Sequence, residues 1–485
     1  MSVKPLIAPP TRRLPTQQAL NRAAGAPLIA GNAVELLIDA AANYAAWLAA
    51  IRGAAQRVLL ENYIIRDDVI GREFRAALIE RAQAGVTVAV ITDWAGCLGQ
   101  SRSAFWAPLR AAGGSVRVFN APQLGVPFGW ITRDHRKLLV VDGTLGFLSG
   151  VCISDKWLGD PAHDVPPWRD TGVAVRGPAV AEIDAAFAQI WNGIGAELPL
   201  FAPASVPAEA VGTVALRVIA TQPASASMYR LDQLIATLAS KTLWLTDAYF
   251  VGVSPYVQAL VSAARDGVDV RLLVPGSSDI PLVAGMSRAG YRPLLKAGIR
   301  VFEWNGSMLH AKTAVADGQW ARVGSSNLNI ASWLGNYEID VAVEDESFAG
   351  QLAAQYERDL EKATEIVLVP RRSRNRTTEK VRSSEDRPSR ARRAGGSSSR
   401  AAVGALRIAN SVGAVLSNRR VLGDSSVGPT LGGALALFIL TIIALLWPAS
   451  IAWPFALLCA WFALNLAIRG WRVRRRQQRN AVPSV

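Results

Sequence analysis

The sequence of 485 residues has little cysteine and little histidine, with three residues of each. The cysteines, Cys97, Cys152 and Cys459, are too few and too scattered for a disulfide framework or a cysteine-ligated zinc site, which favours a reducing compartment. The first thirty residues contain no apolar run and predict no secretory signal peptide. Disorder of the whole chain is excluded, because 51% of the residues are hydrophobic and only 19% are charged.

Acidic residues are scarce after residue 370. That part of the chain has 20 Lys and Arg against 4 Asp and Glu, a net charge of +16. Because the whole chain carries +14, residues 1–370 carry −2. A nearly neutral body lacks the electrostatic footprint that binding to a phosphate backbone requires, so we expect no nucleic-acid partner.

The C-terminal region contains a long uncharged run. Residues 425–468 are 44 consecutive positions without a charge, whereas one membrane-spanning helix needs about 20. Trp447-Pro448 and Trp453-Pro454 mark a turn, which predicts a transmembrane helical hairpin over residues 425–470. Arginines flank both ends of this run, and on its C-terminal side they continue into the basic tail 471–485. Both ends, and everything upstream, are therefore predicted to be cytoplasmic. A hairpin that only dips into the bilayer, or one buried in a soluble core, is the alternative.

A basic linker, residues 371–424, is predicted between the body and this hairpin. Its first thirty residues are rich in Arg and Ser and contain few large apolar groups, so they cannot bury enough surface to fold alone. Their charge should attract anionic lipid headgroups. Residues 401–420 have apolar side chains at helical spacing, typical of either a helix in the membrane interface or an ordinary linker helix.

The body contains an internal repeat. Residues 81–94 (RAQAGVTVAVITDW) resemble residues 263–276 (AARDGVDVRLLVPG), each a helix end, a glycine and then an apolar strand. Helices alternate with strands in both copies, which predicts two α/β layers with largely buried sheets. The predicted divisions are a flexible N-terminal tail at 1–32, a first half at 33–203 and a second half at 210–368, joined by a hinge at 201–210.

Two of the three histidines lie in the same pattern, H-x-K-x-x-x-x-D-G, which starts at His135 and again at His310. On a strand, residues two apart face the same side, so each histidine and its lysine, Lys137 or Lys312, point at one target. The Asp-Gly pairs that begin at Asp142 and Asp317 predict hairpin turns, and we expect these two aspartates to be structural. The returning strands end at 149–152 and 324–327, beside the histidines.

This pattern suits phosphoryl chemistry. A neutral imidazole can attack phosphorus and form a phosphohistidine, while a protonated one donates to the leaving oxygen and later deprotonates the incoming hydroxyl. The two lysines neutralise charge on the non-bridging oxygens. No carboxylate cluster at metal-ligand spacing accompanies the motifs, so we predict catalysis without a metal or a cofactor. His163, in a loop, is interpreted as a surface or lid residue.

The chain resembles the phospholipase D superfamily over about residues 33–350, and most closely its bacterial cardiolipin synthase branch. Besides the two histidine motifs, the resemblance includes the segments at 61–64, 168–171, 324–327 and 336–338. It implies an α/β phospholipase D fold of two α/β/α halves, related by a pseudo-twofold axis, with one shared active site. It also implies an acidic residue downstream of each motif that orients the histidine; by position these are Asp170 and Glu338. His135 is the implied nucleophile and His310 the acid/base.

The expected substrate-binding residues end the returning strands: Ser325, Ser326, Asn327 and, in the first half, Cys152. Cys152 stands where the family usually has asparagine, and a thiol is a poor hydrogen-bond donor. We therefore expect weaker phosphate contact on that side, and interpret Cys152 as a buried structural thiol rather than a nucleophile.

The resemblance predicts a phosphatidyltransferase of the bacterial inner membrane that makes cardiolipin from two phosphatidylglycerol molecules. Its partners would be the membrane and anionic phospholipids. A phospholipase D that hydrolyses phospholipids to phosphatidic acid is the main alternative. A nuclease and an inactive membrane scaffold are further ones.

Overall fold

The computed structural model describes residues 13–122, 132–195, 209–368 and 419–422, together with single residues between 438 and 467. In this part of the chain, helices alternate with the strands of one sixteen-stranded sheet. The first half contains α1 (Arg13–Ala24), β1 (Ile29–Ile38), α2 (Asp39–Arg52), β2 (Arg57–Asn62), α3 (Val69–Gln83), β3 (Thr87–Asp93), α4 (Ser103–Ala111), β4 (Ser115–Phe119), β5 (Lys137–Val141), β6 (Leu145–Ser149), β7 (Thr171–Arg176) and α5 (Val180–Gly193).

The second half repeats this arrangement. It contains β8 (Val214–Thr221), α6 (Ser227–Leu238), β9 (Thr242–Thr246), α7 (Ser254–Arg265), β10 (Asp269–Pro275), α8 (Pro281–Lys296), β11 (Arg300–Trp304), β12 (Thr313–Ala316), β13 (Trp320–Gly324), β14 (Glu338–Glu344), α9 (Glu346–Glu361) and β15 (Ala363–Leu368), with β16 (Arg419–Leu422) added at the edge.

The order of strands reveals the duplication. From the centre outwards, the first half runs β1-β7-β6-β5-β2-β3-β4 and the second runs β8-β14-β13-β12-β9-β10-β11. The halves meet where β1 pairs with β8 in antiparallel orientation. In each half the last three strands are parallel, and the hairpin strand β5 or β12 lies antiparallel to them. The predicted α/β architecture and its repeat are therefore confirmed.

Helices cover both faces of the sheet. Helices α2, α3 and α4 pack on one side of the first half, and α1, α6, α7 and α8 cover the corresponding side of the second. Helices α5 and α9 pack into a core that includes strands of both halves. Because this core is shared, the halves are held together by buried apolar surface as well as by the strands at the centre.

The predicted turns of the two histidine motifs are confirmed. Asp142 and Gly143 have φ values of 53° and 68°, and Asp317 and Gly318 have 52° and 65°. Two successive residues with positive φ make the tight turn that matches the twist of antiparallel strands. Accordingly β5 pairs with β6, and β12 pairs with β13.

The prediction of a flexible N-terminal tail over residues 1–32 is wrong for residues 13–32. Helix α1 packs on the second half, where Leu20 and Ala24 are buried against α6, and β1 begins at Ile29. Burial of these apolar side chains stabilises a segment whose composition alone predicts no structure.

The predicted linker and hairpin lie mostly outside the described residues, as does most of the hinge. Within the linker range, the short strand β16 pairs with β15, so residues 419 and 420 are extended and not helical. The described residues of the range 425–470 are helical, and several are exposed apolar side chains, among them Phe438, Trp453 and Leu457. Over the described part of the chain, we find no helix with the length and apolar character needed to cross a bilayer.

Candidate active site

The two histidine motifs lie at the same edge of the sheet. Lys137, the first residue of β5, is opposite Asn62, the last residue of β2. In the second half, Thr313 at the start of β12 is opposite Thr246 at the end of β9. His135 and His310 therefore lie where the parallel strands end, which is where open α/β sheets place their binding sites.

Each histidine bonds to a carboxylate of the other half. His135 Nδ1 lies 2.8 Å from Glu338 Oε2, and His310 Nδ1 lies 2.8 Å from Asp170 Oδ2. The expectation that each acid orients the histidine of the motif upstream of it is therefore corrected, because the pairs are crossed. Spacing along the chain could not reveal this, since the partner is selected by contact between the halves.

Backbone hydrogen bonds hold this crossing in place. The His135 amide donates to the carbonyl of Tyr337 at 2.9 Å, next to Glu338. The His310 amide donates to the carbonyl of Arg169 at 2.7 Å, next to Asp170. Each histidine segment is thus aligned with the segment that carries its acid, and one site is formed from both halves.

The electrostatics of the crossed pairs select one tautomer. Burial alone would raise the pKa of Asp170, but the charge and hydrogen bond of His310 outweigh it and lower this pKa to about 2. The pKa of Glu338 is lowered in the same way, against its burial, by His135. Because an ionised carboxylate only accepts hydrogen bonds, Nδ1 of His135 carries the proton and its Nε2 is left free to react. Asp170 favours the same tautomer of His310, whose Nδ1 also lies 2.9 Å from Lys312 Nζ.

Burial favours the neutral form of both imidazoles in the resting site. Burial lowers the pKa of His310 to about 4, and the charge of Lys312 adds to this against the opposing effect of Asp170. Burial also lowers the pKa of His135, and Glu338 opposes it only in part. This differs from the expectation that one histidine is held charged and the other neutral.

The lysines connect the two motifs. Lys137 Nζ donates to the carbonyl of His135 at 2.5 Å, and Lys312 Nζ donates to that of His310. The charge of Lys312 lowers the pKa of His135, and the charge of Lys137 lowers the pKa of His310. Burial and then the proximity of Lys137 lower the pKa of Lys312 to about 8, against the effect of Asp170. The four residues therefore share one electrostatic environment.

Aromatic rings surround the histidines. The ring of Tyr63 is 4.8 Å from that of His135, and the ring of Tyr249 is 5.8 Å from that of His310. Trp157 contacts His310 edge-on at 5.5 Å and donates from Nε1 to Asp170 Oδ2 at 3.0 Å. Sequence reasoning missed Trp157, because nothing in its loop distinguishes an indole that supports a carboxylate from one that fills the core.

Comparison with known proteins identifies the family of this chain. Residues 233–360 match the family model described as cardiolipin synthase, PLD-like domain. The chain is 33% identical over 358 residues to cardiolipin synthase A of Pseudomonas entomophila, covering 72% of this chain and 73% of the relative. It is 34% identical over 362 residues to that of Pseudomonas aeruginosa, covering 73% and 72%. The chain belongs to the cardiolipin synthase family.

A solved structure supports the fold of this family member. The crystal structure of phosphatidylserine synthase from Haemophilus influenzae superposes with a TM-score of 0.57 at 14% identity, over 72% of this chain and 92% of that one. At this identity the likeness concerns the fold alone. The predicted phospholipase D-like α/β fold and the membership of the cardiolipin synthase branch are thereby confirmed.

In this cardiolipin synthase family member, the serines expected to bind substrate are engaged elsewhere. Ser325 Oγ donates to Glu338 Oε2 at 2.6 Å and accepts from the Ile339 amide at 2.9 Å. Ser326 Oγ donates to Asp340. Both hydroxyls thus donate within the protein: Ser325 supports the carboxylate that orients His135, and Ser326 is bonded to a different buried acid. Binding of the phosphate by these two residues stays a prediction.

Asn327 and Cys152 occupy matching positions and differ in their capacity for hydrogen bonding. The side-chain oxygen of Asn327 is buried and has no hydrogen-bond partner within the described chain. Cys152 is buried among apolar side chains, and this burial raises the pKa of its thiol, which stays protonated. The second half therefore has a free polar group at this position that the first half lacks.

The motif aspartates anchor the hairpins. Asp142 accepts from the amides of Ala55, Gln56 and Arg57 at 2.7–2.8 Å. Asp317 accepts equivalent bonds from residues 240–242. These contacts fix the far end of each hairpin, away from the histidines.

The predicted surface residue His163 lies outside the site. His163 is exposed and bonded to Asp160 at 2.6 Å, with no contact to the crossed pairs. Where side chains are described, we find no group of three or more His, Cys, Asp or Glu arranged to hold a metal ion.

Proposed function

We propose that this chain is a phospholipase D-type phosphatidyltransferase that converts two phosphatidylglycerol molecules into cardiolipin and glycerol. Its relatives are named cardiolipin synthase A and cover more than two thirds of its length. The observation that carries the chemistry is the pair of crossed His–carboxylate contacts at 2.8 Å, which leaves two free Nε2 atoms and two lysines in one site.

The first step forms a covalent intermediate. Nε2 of His135 attacks the phosphorus of one phosphatidylglycerol, so that a P–N bond forms and the P–O bond to the glycerol headgroup breaks. His310 donates a proton to the departing glycerol oxygen. Lys137 and Lys312 balance the charge that builds up on the non-bridging oxygens.

The second step completes the transfer. His310, now neutral, takes the proton from a headgroup hydroxyl of the second phosphatidylglycerol. This oxygen attacks phosphorus, and the P–N bond breaks to release His135. If water attacked instead, the product would be phosphatidic acid, so the choice between transfer and hydrolysis depends on excluding water.

Substrate binding enables His310 to take up from solvent the proton that this sequence needs. His310 is neutral in the resting site because burial and Lys312 lower its pKa. An anionic phosphodiester placed against the lysines offsets their charge and raises that pKa, so the substrate itself creates the general acid.

Membrane attachment is part of the proposal. The uncharged residues 425–468 supply enough apolar length for a helical hairpin, and the basic residues around them attract anionic headgroups. We infer attachment to a bacterial inner membrane, with the catalytic body on its cytoplasmic side.

The test is the product formed from phosphatidylglycerol vesicles. The purified protein is expected to produce cardiolipin and glycerol in equal amounts, and the matched variant His135→Ala to produce neither. Phosphatidic acid without cardiolipin would contradict the transferase and support the hydrolase.

A further inference from the structure

Exposed large apolar side chains of the folded body concentrate at the edge of the sheet that carries His135 and His310. Within the described residues 13–122, 132–195 and 209–368, nine of them lie at or just beyond this edge and form what we call the apolar rim. Its members are Val69, Leu98, Val118, Val165, Ile280, Leu282, Met286, Ile330 and Leu334. Val211 and Leu238 are exposed at the opposite edge.

The most exposed member of the rim, Leu282, lies with two others after β10. Ile280, Leu282 and Met286 are 44%, 75% and 50% exposed. Leu282 and Met286 are four residues apart on α8 and therefore share one face of the helix. Leaving three large apolar side chains in water at the start of one helix is unfavourable unless something covers them.

This segment is bonded to the catalytic machinery. Asp279, which directly precedes Ile280, accepts a hydrogen bond from the Tyr249 hydroxyl at 2.7 Å. The ring of Tyr249 in turn contacts that of His310. Ser307, in the segment that leads to His310, donates to the carbonyl of Pro167 at 2.9 Å. This bond joins the His310 side of the entrance to the site, which we call its mouth, to the loop that carries Asp170.

We propose that the apolar rim is a docking surface for a phospholipid bilayer, into which it inserts to bring the two histidines to the level of the headgroups. This rests on the proposed function. Any occupant of the rim also covers the mouth of the site. A protein partner or a second copy of the chain would block substrate entry, whereas a bilayer supplies the substrate through that mouth.

Apolar contact, more than charge, carries this docking. Arg102 and Lys156 lie at the same edge, but so do Asp160 and Asp164, and residues 1–370 have a net charge of −2. The basic segment after residue 370 provides the long-range attraction to anionic lipids. The rim then fixes the orientation of the body, which a flexible attachment alone does not determine.

The first experiment measures phosphatidyl transfer by the full chain on two forms of phosphatidylglycerol. One is long-chain lipid in vesicles, and the other is short-chain lipid below its micelle concentration. Leu282→Ser combined with Met286→Ser is expected to lower turnover on vesicles about tenfold or more, because two large apolar groups no longer enter the bilayer, and to preserve turnover on the monomeric lipid. The matched control, Val211→Ser with Leu238→Ser, should keep both rates.

The remaining outcomes distinguish failure of the docking surface from failure of the proposed function. Unchanged turnover on vesicles, or an equal loss on both substrates, overturns the docking surface. Failure of the unaltered protein to transfer phosphatidyl groups on either substrate overturns the proposed function instead.

The second experiment detects insertion directly. Cys97 and Cys152 are buried, so Leu282→Cys in a Cys459→Ser background directs an environment-sensitive fluorophore to the rim. Brominated acyl chains in phosphatidylglycerol vesicles should quench this label and leave a label at Leu238→Cys unquenched. Equal quenching at the two sites, or a detergent-solubilised dimer that dissociates in the Leu282→Ser variant, overturns the proposal; the dimer would assign the rim to contact between copies.

Discussion

The crossed pairing of histidine and acid leads to a quantitative prediction for Glu338→Gln. When Nε2 of His135 bonds to phosphorus while Nδ1 keeps its proton, the imidazole becomes a cation beside the Glu338 carboxylate at 2.8 Å. At an effective dielectric constant of about 20, unit charges at this distance attract by about 6 kcal/mol. Since each 1.36 kcal/mol corresponds to tenfold in rate, the carboxylate accounts for about four powers of ten.

The glutamine variant also disturbs the tautomer. An amide nitrogen turned towards His135 would donate to Nδ1 and move the imidazole proton to Nε2, the atom that must attack. The amide oxygen in the same place keeps the tautomer and loses the charge. We therefore expect kcat to fall about 10³- to 10⁴-fold in the vesicle assay, with little change in KM.

Glu344→Gln is the matched control. Glu344 ends the strand that Glu338 begins, and its carboxylate bonds to Gln17 and Arg217, far along β14 from the histidines. Its substitution should change kcat less than tenfold. A loss of less than tenfold for Glu338→Gln would refute the reasoning. So would nitrogen NMR in which this variant perturbs His310 and leaves His135 unchanged.

Four further predictions follow from the same contacts. Because Lys312 has a pKa of about 8, kcat/KM should fall more steeply with pH above that value as its ammonium is lost, and Lys312→Arg should remove this added fall; an unchanged slope up to about pH 10 would contradict this. Trp157→Phe removes the indole donor to Asp170 and should lower kcat about 10- to 100-fold. Trp106→Phe should not, because the indole nitrogen it removes has no hydrogen-bond partner among the described residues; equal losses would indicate packing alone. Cys152→Ala should retain most activity, because its buried thiol stays protonated, and inactivation would make the thiol essential. Asp142→Ala should lower the free energy of unfolding by about 2–4 kcal/mol in denaturant titration through three lost amide bonds, and an unchanged stability would contradict the anchoring role.

The sequence predicts which residues form this site better than it predicts which carboxylate contacts which histidine. The H-x-K spacing and the Asp-Gly turns are local, so strand periodicity and turn preference predict both hairpins. The partner of each histidine is not local, because it depends on how two similar halves meet. Asp170 and Glu338 could therefore be identified by position, while their crossing could not.

The hydrogen-bond partners of the serines after Gly324 are a second feature that the sequence alone does not predict. A Gly-Ser-Ser-Asn run suggests small donors around a phosphate, but strand β14 brings Glu338 and Asp340 within reach of Ser325 and Ser326. The hydroxyls are occupied by these carboxylates. Helix α1 is a similar case, because its stability comes from packing on α6, which the amphipathic pattern of α1 alone does not reveal.

The most direct test of the central claim is to trap the covalent intermediate and locate it by mass spectrometry. The His310→Ala variant lacks the acid of the first step as well as the base of the second. It is therefore incubated with a phosphatidyl p-nitrophenyl ester, whose leaving group needs no proton, and should accumulate a phosphatidyl adduct on His135. The double variant His135→Ala with His310→Ala should carry none. An adduct on a cysteine or a serine, or full cardiolipin turnover by either single variant, would contradict the account that two imidazoles from separate halves act on one phosphorus.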